Sequence, residues 1–152
     1  MRKKIVFAAL FLLCYGTATV YGQTVAEKAY NSGDAALDQK NYDKAITEFT
    51  KVIKLEPSNS GAYHNRCLAY VNKKQYEKAI TDCNQAIRFD PDYAYTYYVR
   101  GLAYVEKGDY DQAIENFSTV VNASVDSDAE ARYNRGNVYA NYKKDYKKAI
   151  ED

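Results

Sequence analysis

One block of this chain recurs along its length. NYDKAITEF around Ala45 returns as QYEKAITDC around Ala79, DYDQAIENF around Ala113 and DYKKAIED around Ala149, so the alanines stand 34, 34 and 36 residues apart. A second block precedes three of them: YHNRCLAY from Tyr63, YVRGLAY from Tyr98 and YNRGNVY from Tyr133, with a weaker YNSGDAA from Tyr30 ahead of the first. A fixed period with two amphipathic segments per period predicts stacked helical hairpins, because one hairpin cannot bury its own apolar face and each needs the next.

The punctuation of the chain fits that reading. Thr24 and Glu27 are spaced as a capping box, predicting a helix from near Val25 to about Lys40, and its partner runs from Tyr42 to about Glu56, where Pro57 stops it. The second hairpin is predicted from Asn59 to about Lys74 and from Gln75 or Tyr76 to about Phe89, ended at Asp90 and Pro91. Asp92 is placed to cap the third, Tyr93 to about Lys107, which breaks at Gly108 and resumes from Asp109 to about Val121. Ser127 and Glu130 form another capping box before a helix reaching about Tyr142. The last segment, Tyr146 to Asp152, is short for a helix on its own, and a missing polar cap there predicts a truncated end, a frayed one, or one covered by a partner.

The N-terminus is read separately. Arg2, Lys3 and Lys4 are followed by the apolar run IVFAALFLLCYG and the small and polar residues TATVYG, the layout of a secretory signal cleaved after Gly22 or Ala18. The run is too short for a membrane span; acylation at Cys14 and an uncleaved anchor are the alternatives. Without residues 1–22, Lys+Arg falls from 21 to 18 against Asp+Glu 20, a formal charge of −2. No basic stripe argues for nucleic acid and no polybasic block for an anionic membrane surface. Export, to a periplasm or outside the cell, would put Cys67 and Cys83 in an oxidising compartment.

These residues together make the chain resemble the tetratricopeptide repeat family. The family's small first-helix residue is matched by Gly33, Cys67, Gly101 and Gly136, and its second-helix alanine by Ala45, Ala79, Ala113 and Ala149. An opening aromatic falls on Tyr42, Tyr76, Tyr110 and Tyr146, and a closing proline on Pro57 and Pro91. The third repeat departs by ending NASVDSD, without its proline and with one extra residue, and the fourth carries another extra residue in NYKKDY. The resemblance implies an all-α, right-handed solenoid of antiparallel hairpins: repeats at about 26–59, 60–93 and 94–128, and a partial fourth at 128–152.

It also implies a surface. Such arrays bind peptides on the concave side lined by first helices, which here carries over to Tyr30, Asp34, Leu37 and Asp38; to His64, Leu68, Val71 and Asn72; to Tyr95, Tyr98, Leu102, Val105 and Glu106; and to Glu130, Tyr133 and Asn137. That lining is aromatic, aliphatic and mildly acidic, with no lysine. Co-chaperone members hold a partner's carboxylates with inner-face lysine, asparagine and arginine, whereas Tyr30, His64, Tyr98 and Tyr133 occupy the lysine-type sites here, which argues against that clamp. The lining suits an extended or helical partner segment with apolar anchors and a basic residue meeting Asp34, Asp38 or Glu106. The competing expectation is an assembly scaffold of an envelope or secreted complex, working through the convex side and the open C-terminal face; a third is the front end of a longer protein.

No catalytic constellation, metal cluster or cofactor motif accompanies the repeats: there is one histidine, His64, and no glycine-rich phosphate loop. His64 reads as a groove-surface residue, and a non-enzymatic role is expected. Cys67 and Cys83 lie on the two helices of one hairpin, either bridged or as two small core residues. Bridging needs Cα atoms about 4.4–6.8 Å apart; the register sets Cys67 opposite Ala79 and Cys83 about one turn away, which weighs toward free thiols. Arg66, Arg100 and Arg135 recur beside the small residues, either gripping an acidic partner or lying over the core and pairing with carboxylates such as Asp82, the second being favoured. Asn116 and Asn122 head sequons that matter only in a eukaryotic secretory pathway.

Overall fold

The structure, a computed structural model, describes residues 24–123 and 128–152. The apolar leader with Cys14 and its cleavage positions, and the cap at Ser127, lie outside these residues. Helix α1 spans residues 24–38. It is followed by α2 (Tyr42–Leu55), α3 (Ser60–Asn72), α4 (Tyr76–Phe89), α5 (Ala94–Lys107), α6 (Tyr110–Asn122), α7 (Asp128–Val138) and α8 (Tyr146–Glu151). No strand occurs among the described residues. The helices pair as antiparallel hairpins, α1/α2 through α7/α8, stacked in chain order into the expected all-α solenoid.

Local chemistry sets the boundaries. Asn41, Asn59 and Asp109 accept hydrogen bonds from the free amides of Lys44, Ala62 and Gln112, so α2, α3 and α6 each begin just after a polar cap. Asp92 does not cap α5; that helix starts after Tyr93 with no side-chain cap bond. Each first helix ends on a left-handed residue: Lys40 (φ 56°), Lys74 (φ 58°), Gly108 (φ 80°) and Lys144 (φ 57°). At three tips the next amide reaches back five residues, from Asn41 to Ala36, Gln75 to Tyr70 and Asp109 to Tyr104; at the fourth Asp145 reaches back six, to Tyr139. The extra residue of NYKKDY is therefore not a longer loop. It is absorbed as a π-helical turn over Tyr139–Lys143 that prolongs α7.

Within each hairpin the helices cross closely at the small position. A Cβ on Gly33 would stand 2.8 Å from the Phe49 ring, and one on Gly101 would stand 2.7 Å from Phe117. It is thus a ring of the second helix, rather than Ala113, that occupies the space Gly101 leaves; Gly136 does face Ala149, through its carbonyl oxygen at 3.4 Å. Phe49 and Phe117 are fully buried, while Tyr42, Tyr76 and Tyr110 are half-buried at the edge of the core. In the second hairpin the same two positions hold Cys67 and Cys83, joined in a disulfide with Cα atoms 5.5 Å apart. The expectation that Cys83 lies a turn away from Cys67 is corrected: the residue facing the small position is four after the alanine, as Phe49 is to Ala45 and Phe117 to Ala113.

The recurrent arginines join three helices each. Arg66 grips Asp82 of its own hairpin through Nε (2.6 Å) and Nη2 (2.8 Å) and donates from Nη1 to Thr50 of the preceding hairpin (2.9 Å). Arg100 does the same with Asn116 (2.8 Å) and Asn84 (2.6 Å), and Arg135 with Asp152 (2.7 Å from Nε) and Ser118 (2.8 Å). Burial opposes the Arg66 charge, but Asp82 more than offsets it and the guanidinium pKa is raised; Arg100, facing two amides, has its pKa lowered by burial. Asn116, the head of the first sequon, is committed to this contact and buried.

Two stability tests follow from these crossings. Lys40→Gly removes a left-handed Cβ and is expected to raise stability by about 1 kcal/mol in urea melts, while Gly108→Lys lowers it by a similar amount. Cys67→Gly with Cys83→Phe rebuilds the crossing of the neighbouring hairpins. Each single change leaves a gap or overpacks, so a double-mutant cycle should show a favourable coupling of at least about 1 kcal/mol.

Candidate functional site

The first helices α1, α3, α5 and α7 lie side by side, and α3, α5 and α7 form a cleft of about 700 Å³ toward the C-terminal half of the array. It brings together seven expected residues, Val71, Asn72, Leu102, Val105, Glu106, Tyr133 and Asn137. Val71, Leu102 and Val105 are half-buried and pack on the core beneath, so they supply an apolar floor, and Tyr133 stands 70% exposed on the wall. The remaining lining was not anticipated: Lys74, Tyr76, Asn134, Val138, Asn141 and Tyr142. Asn134, Asn137 and Asn141 follow three-and-four spacing, so Asn137 alone carried the signal for its neighbours. Tyr142 is brought round by the π turn and stacks on Tyr110 with centroids 4.1 Å apart.

The expected absence of lysine is corrected by Lys74. As the left-handed residue ending α3, it sits on the lip of the cleft rather than on the helix face that the periodicity describes. Across the lip, Glu106 accepts a hydrogen bond from the Tyr76 hydroxyl at 3.0 Å, and the Tyr76 phenol is raised in pKa, by partial desolvation and this carboxylate.

His64 and Tyr98 are not open to the groove. His64 is 5% exposed and Tyr98 8%, both sealed between consecutive first helices. Nδ1 of His64 lies 3.0 Å from the Thr96 hydroxyl, and its ring meets Tyr93 and Tyr95 at 5.0 and 5.5 Å. Burial holds the imidazole neutral, its pKa lowered to about 4. Tyr98 lies between Tyr95 and Phe117, and its phenol is pushed up to about 12, by burial first and then by the Glu130 carboxylate. Small residues explain the closure: Ala62, Thr96 and Ala131 let each first helix approach the one before it.

The N-terminal part of the predicted lining, Tyr30, Asp34 and Leu37, lies outside the cleft. Asn65 donates to both the Tyr30 hydroxyl (3.1 Å) and Asp34 Oδ1 (2.8 Å). Burial and the neighbouring Asp38 raise the Asp34 pKa. Leu68 and Tyr95 are half-buried between the two regions. No group of acidic, histidine or cysteine side chains able to hold a metal occurs among the described residues, and no described helix is long and apolar enough to cross a membrane.

Stacked helical hairpins with an exposed inner face define a helical-repeat protein. The family is fixed by a match to the TPR repeat over residues 33–74, 68–108 and 101–141: the chain belongs to the tetratricopeptide repeat family. It is 42% identical over 48 residues to Hsp70-Hsp90 organizing protein 3 of Arabidopsis thaliana, a match covering 32% of this chain and only 9% of that protein. Among solved structures it resembles the first TPR of Spaghetti (RPAP3) bound to HSP90 peptide SRMEEVD, with TM-score 0.73 and 26% identity, covering 77% of this chain and 92% of that one. It also resembles MamA 41-end from Desulfovibrio magneticus RS-1, with TM-score 0.77 and 28% identity, covering 83% and 70%. The fold is that of a protein-interaction module.

His64 gives the array a defined acid response. On acidification the unfolded chain, with an ordinary histidine pKa of 6.5, takes up the proton that the folded chain refuses until about 4. The His64 contribution is full above pH 6.5, falls through that window and levels off below it. Between pH 7 and 4.5 wild type is expected to lose roughly 2–3 kcal/mol more than His64→Leu, by urea melts at both pH values.

Proposed function

We propose that this protein is a non-catalytic interaction module that holds an extended or helical segment of a partner protein in the cleft between α3, α5 and α7. The observation that carries this reading is the convergence of Val71, Leu102, Val105 and Tyr133 with polar side chains around one concavity large enough for a few partner side chains. Half-buried aliphatic floors with an aromatic wall accept apolar anchors, and the preformed first helices spare the module most of the ordering cost. Charge sets the preference. Glu106 borders the cleft and Asp34 and Asp38 continue the face toward the N-terminus, against Lys74, the one cation among the described residues that line the cleft. A partner segment with a lysine or arginine beside its apolar anchors suits this surface better than an acidic peptide of the kind RPAP3 is bound to.

Residues 1–22 are proposed as an export signal, cleaved after Gly22 or Ala18, that delivers the module to a periplasmic or secreted setting. The Cys67–Cys83 bridge supports this, since disulfides persist in oxidising compartments.

Panning a displayed peptide library against the protein tests the cleft. Apolar peptides carrying a basic residue are expected to be enriched, and Leu102→Ala with Tyr133→Ala to weaken them by at least ~2 kcal/mol in titration calorimetry with helix content kept. Equal binding by the double variant would remove the cleft from the function.

A further inference from the structure

We infer that the Cys67–Cys83 bridge is a redox latch on the middle of the array: with both sulfurs reduced, α3 and α4 part and the solenoid divides at its second hairpin. That hairpin has less to hold it than the first or the third. Its buried apolar side chains are Ala62, Ala69, Ala79 and Ala86 together with the two cysteines. On their second helices the first hairpin buries Phe49 and Val52 and the third buries Phe117 and Val120, whereas the same positions here are Cys83 and Ala86. Apolar stabilisation follows the surface removed from water, so alanines hold a crossing more weakly than a ring and a valine. The hairpin also seals in two polar side chains, His64 and Asp82.

The apolar core divides at the same place. α3 gives Ala62 and Ala69 to the core around Phe49 and Val52, and Cys67 to the core around Tyr98, Val99 and Phe117. α4 gives Ala79 and Cys83 to the second of these. The bridge thus ties the helix shared by both cores to the one that opens the second. The other strong tie across the crossing is the Arg66–Asp82 pair, and desolvation of its two ions offsets much of their attraction.

Release takes a dithiol reductant. Its thiolate attacks one sulfur and forms a mixed disulfide as the other cysteine leaves; its second thiol then closes the reagent's own disulfide, so that two electrons and two protons end on Cys67 and Cys83. Both cysteines are fully buried, so this exchange waits on opening of the hairpin. The latch therefore acts when the chain first folds. A chain with free thiols lacks an ordered wall of Val71, Asn72 and Tyr76 on the cleft. Control of binding in this way rests on the cleft being the binding surface; the division of the array does not.

Hydrogen exchange of the full chain tests the latch, on oxidised protein and on protein reduced with dithiothreitol in urea and returned to buffer with dithiothreitol. Reduction is expected to speed exchange about 100-fold across α1 to α4, residues 71–76 included, and less than about tenfold in α5 and α6. Cys67→Ala with Cys83→Ala should show the reduced pattern without dithiothreitol, which separates loss of the bridge from an effect of the reagent. Protection of residues 71–76 that survives reduction would overturn the inference. So would an equal rise in α5 and α6, which would make the bridge a general stabiliser of the whole array. Failure of the cleft as a binding surface reads out separately, as a peptide library that ignores the oxidised protein while the exchange pattern holds.

Discussion

A guanidinium where three helices meet holds this array in register. Arg66, Arg100 and Arg135 each tie the two helices of their own hairpin and reach the second helix of the one before. None of these bonds is long-range in space, yet together they couple every described hairpin to its neighbour. A fork of fixed geometry cannot satisfy both sides unless the first helix lies at one depth and rotation. The charge itself is balanced unevenly: Arg66 and Arg135 meet carboxylates, whereas Arg100 hydrogen-bonds the amides of Asn116 and Asn84 and has its protonated form disfavoured by burial. The middle of the solenoid is therefore held by dipoles where its flanks are held by ions. A second, exposed ladder runs along the tips, Lys73 to Asp43, Lys107 to Glu77 and Lys143 to Asp111, and adds direction more than stability.

Much of this was legible in the sequence, because a repeat states its own period. Ala45, Ala79, Ala113 and Ala149 located the second helices, and Gly33, Gly101 and Gly136 the close crossings. What the period does not state is which residue fills a crossing. Counting from Ala79 placed Cys83 a turn too far from Cys67, because it took the alanine rather than the residue four later to face the small position. Phe49 and Phe117 held the answer, since a bare glycine opposite a large ring implies direct contact. His64 and Tyr98 were misjudged for a related reason. Periodicity puts them on the inner stripe of their helices, but how far the next helix closes over that stripe depends on the side chains it presents, and Thr96 and Ala131 are small. The cleft was half legible: its floor follows helical spacing, while Lys74 and Tyr142 reach it from a left-handed residue and a π turn.

The π turn also shows how a repeat array accommodates a change in length. One residue added to a tip loop would leave α7 untouched. Added inside the helix, it prolongs α7 and keeps Tyr142 on Tyr110 and Lys143 on Asp111, the places that Glu106 takes on Tyr76 and Lys107 on Glu77, at the C-terminal end of the cleft. The same event that breaks the period shapes the proposed binding surface.

The Cys67–Cys83 bridge has a mechanical meaning as well. It encloses the tip of the second hairpin, with a sequence separation of 16 between its ends. If the ends of the chain were drawn apart, the outer hairpins could release their full contour, but this one would open only as far as the bridge. About 50 Å of backbone would stay hidden from the pull, at about 3.3–3.6 Å per extended residue. A stretched array would keep a closed loop, with the middle of α4 still tied to the middle of α3, and would have a template in place when the tension fell.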